Sequence, residues 1–246
     1  MFALSRWRLT GWLRLSRGIR RVWFLRIAGA VGVLVANLMA GAMLQAQTDG
    51  ASTLEYRGIK IDKEERTVTF PAAINMTEGM LEYLIVNDKG KTHESLLSTK
   101  IEPYDIQVAM LLLGIKPAAN GDAEPPGQIT REYLSTAPAL KGERITITLT
   151  WAGHEAAAED LVWNLDKNAA MTEGPWTYNG SEMYDGKFLA QIDGSIAALV
   201  RDSGALMNNP RPGNDDDQIW EVNTKVVPAK GTAVDVTVKL EETDGK

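Results

Sequence analysis

The segment Arg144–Trp151, RITITLTW, alternates apolar and polar residues along its whole length. A two-residue period fits one regular conformation, an extended strand with one face against a core. The same signal recurs elsewhere. Ile59–Asp62 and Thr67–Phe70 alternate around the charged turn Lys63–Arg66 and read as a hairpin ending at Pro71, and Ala233–Leu240 repeats the pattern late in the chain. Leu81–Val86, apolar and partly β-branched, lies between Gly79 and the turn Asn87–Gly90, with Thr92–Thr99 expected to run back as its antiparallel partner. Trp176–Ser181, Phe188–Asp193, Ser195–Arg201 and Ile219–Val227 add further strands.

Two stretches depart from this period. Pro103 and Gly114 suit the start and end of a helix at about 103–113. Ile106, Ala109, Met110 and Leu113 form one stripe of it, and Val108, Leu111 and Leu112 spread apolar surface over most of the rest, which predicts a buried helix. Ala156–Leu165 reads as a shorter helix with Leu161, Val162 and Leu165 as its apolar side. Strands in neighbouring pairs outnumber helices, so the expected fold is α+β: a mostly antiparallel β-sheet with one buried helix (about 103–113) and a shorter helix (about 156–165).

Charge divides the chain. The net charge of −6 includes seven arginines that precede the first acidic residue, Asp49, leaving −13 on everything after Ala46. The basic start leads into Ile27–Ala46, an uncharged run of small and aliphatic residues. Residues 1–46 therefore read as an export signal cleaved after Ala46, with an uncleaved N-terminal membrane anchor as the alternative. Both predict a domain outside the cytoplasm, periplasmic or at the cell envelope. Residues 47–57 read as a linker, 58–242 as one domain and 243–246 as a polar tail, with an exposed loop at Pro117–Gly127 and a helical turn at Arg131–Leu134.

A domain this acidic repels phosphate backbones, so no nucleic acid is expected as a partner. Membrane contact is expected only through the N-terminal segment, if it is retained. The absence of cysteine excludes disulfides, Fe–S clusters, thiolate zinc sites and a cysteine nucleophile. No cofactor is expected.

The chemistry-bearing candidates centre on His93-Glu94-Ser95, within Gly90–Gly114. The triplet begins like a zinc-protease motif, but Leu97 stands where the second histidine is required. Strand alternation places His93 and Ser95 on one face and Glu94 on the other. A serine hydrolase built on Ser95, or on Ser181 after Gly180, with His93 as base is one reading. A His93/His154 metal site with Glu94 or Glu155 is a second. A polar network is the third, in which Lys91 or His93 pairs with Glu94 and Ser95 bonds to backbone. Asn214–Asp217 lacks the ligand spacing of a calcium loop, and the tryptophans read as core packing.

The ordered set Gly90-Lys91-x-His93-Glu94-Ser95, Pro103, Leu111–Gly114, Trp151, Glu159-Asp160 with Trp163, Trp176 with Gly180-Ser181, Asp193-Gly194, Asn209-Pro210 and Trp220 resembles the YdjY domain. The resemblance covers most of the chain after about residue 58. It implies an exported bacterial domain and supplies no reaction. A ferredoxin-like character does not carry over, because no cysteine is present to hold a cluster. The expected function is a non-catalytic binding or interaction module at the cell envelope, for an envelope protein or a small ligand. The alternative is a hydrolase or metal-assisted enzyme centred on His93, Glu94 and Ser95.

Overall fold

The computed structural model describes residues 52–118, 134 and 136–241. The stretch 1–46 read as an export signal, most of the loop expected at 117–127, most of the turn expected at 131–134 and the tail at 243–246 lie outside the described residues.

The chain order is β1 (Thr53–Tyr56), β2 (Ile59–Asp62), β3 (Thr67–Ile74), β4 (Tyr83–Asn87), β5 (Ser95–Thr99), helix α1 (Pro103–Leu112), β6 (Glu143–Trp151), β7 (His154–Ala157), β8 (Val162–Asn164), β9 (Ala169–Ala170), β10 (Trp176–Tyr178), β11 (Met183–Tyr184), β12 (Lys187–Phe188), helix α2 (Leu189–Asp193), β13 (Ser195–Ala198), β14 (Met207–Asn208), β15 (Trp220–Val222) and β16 (Ala233–Leu240). Eight of these strands close on themselves in the order β3-β16-β6-β10-β14-β13-β4-β5, and β5 returns to β3 through Ala73 opposite Ser98 and Ile74 opposite Leu97. The barrel is mixed, since β4 pairs β5 and β13 pairs β14 in parallel while its other pairs are antiparallel.

Alternation delivers the core. Val68, Phe70, Ala72 and Ile74 of β3, Ile145, Ile147 and Leu149 of β6, and Val234, Val236, Val238 and Leu240 of β16 are all buried. Side chains at every second position fill the interior, as an eight-stranded barrel requires. β4 does not alternate because it is covered on both sides. Leu84 and Ile85 join the main core, whereas Tyr83 and Val86 pack with Ala198 and Ala205 in a second small cluster.

The α+β, largely antiparallel architecture is as expected, with local differences. β3 runs on through Pro71 to Ile74, where Thr99 Oγ1 donates to the Pro71 carbonyl at 2.6 Å. β1 falls within the stretch read as linker and pairs with β2. Helix α1 has Pro103 in its first turn, and Gly114 follows it at φ 93°. It packs on the barrel from one side only, so Ile106, Ala109 and Met110 are buried while Leu111 and Leu112 are 47% and 41% exposed.

The shorter helix is α2, at Leu189–Asp193, where a strand was expected. The helix expected at 156–165 is replaced by β7, a 3₁₀ turn at Ala158–Leu161, and β8. Tertiary pairing overrides local propensity there. Ala152 and Gly153, both at positive φ, turn the chain back along β6, and β8 is then taken up by β15.

That region is tied down by a buried ion pair. Arg211 donates to Glu159, to the Thr172 and Gly174 carbonyls and to Asn209 Oδ1, and Trp176 Nε1 donates to Glu159 at 3.0 Å. Burial raises the Glu159 pKa and lowers that of Arg211 in spite of the pairing, so loss of water outweighs attraction on both sides. The pair therefore serves to fix geometry more than to add stability, and breaking it leaves a buried charge. Glu159→Ala is expected to cost about 3–5 kcal/mol in urea unfolding. Glu159→Gln keeps acceptors for Trp176 and Arg211 and is expected to cost clearly less; equal unfolding midpoints for the two variants would contradict this account.

Candidate functional site at the Gly90–Ser95 loop

Parallel pairing of β4 and β5 means that residues 88–94 must travel back along the full length of β4, where a hairpin was expected. A strand of five residues spans only about 13–17 Å, so this short return is feasible. The loop lies against the turn between α2 and β13. A Cβ on Gly90 would come within 2.8 Å of the Asp193 carbonyl oxygen, and one on Gly194 within 2.8 Å of Gly90 Cα. Gly194 also sits at φ 72°, and its carbonyl accepts from Asn87 N at 2.8 Å. The two glycines thus seat the loop by backbone contact that no other residue allows.

Thr92–Glu94 then forms a 3₁₀ turn, and the strand begins only at Ser95. Asn75 Nδ2 holds this turn by donating to the Thr92 and Ser95 carbonyls. The strand alternation expected for His93, Glu94 and Ser95 does not apply, because two of the three residues lie in the turn. His93 projects outward with its side chain 79% exposed, and its Nε2 stands 3.6 Å from Glu94 Oε2. Ser95 is fully buried and its hydroxyl donates to the Leu97 carbonyl at 2.8 Å.

The other candidates stand apart from the triplet. Ser181, at φ 62°, donates to the Gly204 carbonyl at 2.6 Å and accepts from Ala190 N at 3.0 Å, so it satisfies a free N–H at the start of α2. His154 lies exposed at the start of β7, opposite Trp151, and stacks on it with ring centroids 6.0 Å apart. Among the described residues no group of three or more His, Asp or Glu is arranged to hold a metal ion.

The loop instead brings Lys91 onto Tyr83. Lys91 Nζ donates to Tyr83 Oη at 2.7 Å and lies 4.8 Å from the ring centroid, and the phenol donates its own proton to Asp202 Oδ2 at 2.9 Å. Asp202 is itself oriented, accepting from Gly204 N through Oδ1 at 2.9 Å. Burial, then the Asp202 charge, pushes the phenol far above its ordinary value, so it stays protonated and acts as a fixed donor to Asp202. Ser195 is buried beside the phenol and acts against the shift by favouring the ionised form.

Around this centre Asp193 is raised by burial and then by Asp202, and Glu82 by burial and then by Glu94. Lys91 counters both. Sequence reasoning missed Tyr83, Asp202 and Ser195, and placed Asp193 only in the family pattern. One signal was present: a tyrosine inside an apolar run needs a partner for its hydroxyl. A separate groove of about 260 Å³ opens where β3 and β5 part, lined by Pro71–Ala73, Asp88 and Ser98–Lys100.

A family model, the YdjY domain, matches residues 59–239. The chain belongs to the YdjY domain family. The match runs from the first residue of β2 almost to the end of β16, so it takes in the closed barrel and the Gly90–Ser95 loop. No curated protein and no solved structure matches the chain. Within this YdjY domain the paired glycines explain two pieces of the pattern, Gly-Lys-x-His-Glu-Ser and Asp193-Gly194, as the two sides of one contact.

Gly194→Ala is expected to destabilise the domain by on the order of 1–3 kcal/mol from its backbone conformation alone, with the clash against Gly90 added. An unchanged denaturation midpoint would refute the contact. Glu82 gives a pH signature. Its raised folded-state value means that its contribution to stability is complete in acid and is lost as pH rises through that value. Glu82→Gln is expected to melt higher than the parent at about pH 8, and the gap should close toward about pH 4, as read by thermal melts across that range.

Proposed function

We propose that this YdjY domain is a non-catalytic binding module of the bacterial cell envelope, exported behind its N-terminal leader, and that it takes its ligand at the rim formed by the Gly90–Ser95 loop. The observation that carries the reading is the commitment of both candidate nucleophiles. The Ser95 hydroxyl is buried and donates to Leu97, and the Ser181 hydroxyl is buried between Gly204 and Ala190. A serine nucleophile needs an exposed oxygen within reach of a base, and neither hydroxyl is exposed.

The loop has the features of a recognition surface. It is held rigidly by Gly194 and Asn75, and it presents Lys91, His93 and Glu94 together. Its partner is an envelope protein or a small ligand, and the acidity of the domain argues against nucleic acid. No described helix is long and apolar enough to cross a membrane, so membrane contact in this reading falls to the leader.

A broad fluorophosphonate probe, followed by peptide mapping, tests the assignment against the hydrolase alternative. No labelling of Ser95 or Ser181 is expected. Stoichiometric labelling of either, abolished by His93→Ala, would replace the binding module with an enzyme.

A further inference from the structure

The ammonium group of Lys91 occupies a setting built before it arrives. Its floor is the Tyr83 ring, 3% exposed overall, and its first acceptor is Tyr83 Oη, whose own proton is already directed to Asp202. Because that proton is spent elsewhere, the phenol oxygen presents only lone pairs to an incoming N–H. Asp202 cannot turn away, since Gly204 N holds its other oxygen and its own N–H donates to Asn208 Oδ1 at 2.8 Å. An aromatic face, a lone-pair oxygen and a fixed carboxylate behind it make up a box for an alkylammonium ion.

Lys91 fills this box incompletely. Its stem comes from the loop, and its ammonium meets Tyr83 Oη while Glu94 Oε1 lies at 3.9 Å, beyond hydrogen-bond length. Ser195, 1% exposed, lies beside the same phenol. Asp193 stands within electrostatic reach of both Lys91 and Asp202. At the rim, Glu82 and Glu94 lie side by side, Glu82 N donating to the Glu94 carbonyl at 3.0 Å, with Asp217 and His93 also acting on Glu82.

We propose that the Tyr83–Asp202 pair is a binding site for alkylammonium groups, held in the free protein by the side chain of Lys91 and exchanged for one end of a linear polyamine whose second ammonium rests on Glu82 and Glu94. The proposal rests on the binding-module reading and names its ligand class. A tethered lysine competes at an effective concentration in the millimolar range, so a monoamine displaces it poorly. A polyamine gains from its second charge and displaces it better. The loop itself need not move, because only the Lys91 side chain leaves.

Lys91→Ala empties the box and supplies the test. Titrated with n-butylammonium, the variant is expected to show a saturable rise in melting temperature, and spermidine should saturate at a concentration about tenfold lower. The parent protein should bind spermidine at least about tenfold more weakly than Lys91→Ala, and Tyr83→Phe in the Lys91→Ala background should weaken both amines. Sodium chloride at matched ionic strength controls for screening. If Lys91→Ala does not fold, Lys91→Met and calorimetry of the parent with spermidine provide the same comparison. The proposal is overturned if neither amine gives a saturable effect, if salt reproduces it, or if parent and variant bind equally. Such a failure, with no fluorophosphonate labelling, removes the ligand class and leaves the binding module standing; labelling of Ser95 or Ser181 removes the module itself.

Discussion

Everything distinctive about this barrel depends on a backbone contact between two glycines. Gly90 and Gly194 approach so closely that neither tolerates a Cβ, and one of them also needs a positive φ. That contact lets residues 88–94 return along β4, and the return makes β4 and β5 parallel neighbours. Parallel strands normally need a longer crossover, usually a helix. Here the strand is short and the crossover lies flat on the next turn, so the saving in chain length is made possible by the missing side chains.

The same contact decides what the loop displays. With the backbone pinned at Gly90, the next residue reaches Tyr83 and the following ones form a turn held by Asn75. The polar groups then sort by solvent access. Ser95 and Ser181 are inside and spend their protons on carbonyls; Lys91 and His93 are outside; Glu82 and Glu94 lie between. Groups in that intermediate zone are neither locked by burial nor diluted by water, and there a charge interacts most usefully with a partner.

Alternation made much of the fold legible in advance. RITITLTW, Ala233–Leu240 and the first hairpin are strands because side chains of period two must face one core. The helix at 103–112 was equally readable from Pro103 and Gly114. What the sequence could not reveal was pairing across distance. Val162 suits a helix face as well as a strand, and only β15, some sixty residues later, selects the strand. The polar triplet was visible for the same reason that it misled: residue types announce chemistry, whereas commitment to Leu97 or Gly204 is a matter of geometry. Tyr83 and Asp202, 119 positions apart, share no local pattern at all.

The position of β16 carries a consequence for how the domain comes into being. It lies between β3 and β6, pairing Lys239 with Thr67 on one side and with Thr146 on the other. Until that strand is available, β3 and β6 each present a bare apolar-faced edge, and the barrel has a gap where its most extensive pairing belongs. Closure must therefore wait for contacts separated by nearly the whole described chain, a topology that folds slowly and leaves strand edges open to wrong partners in the interval. A chain whose β16 has yet to pair is therefore the form most exposed to wrong partners.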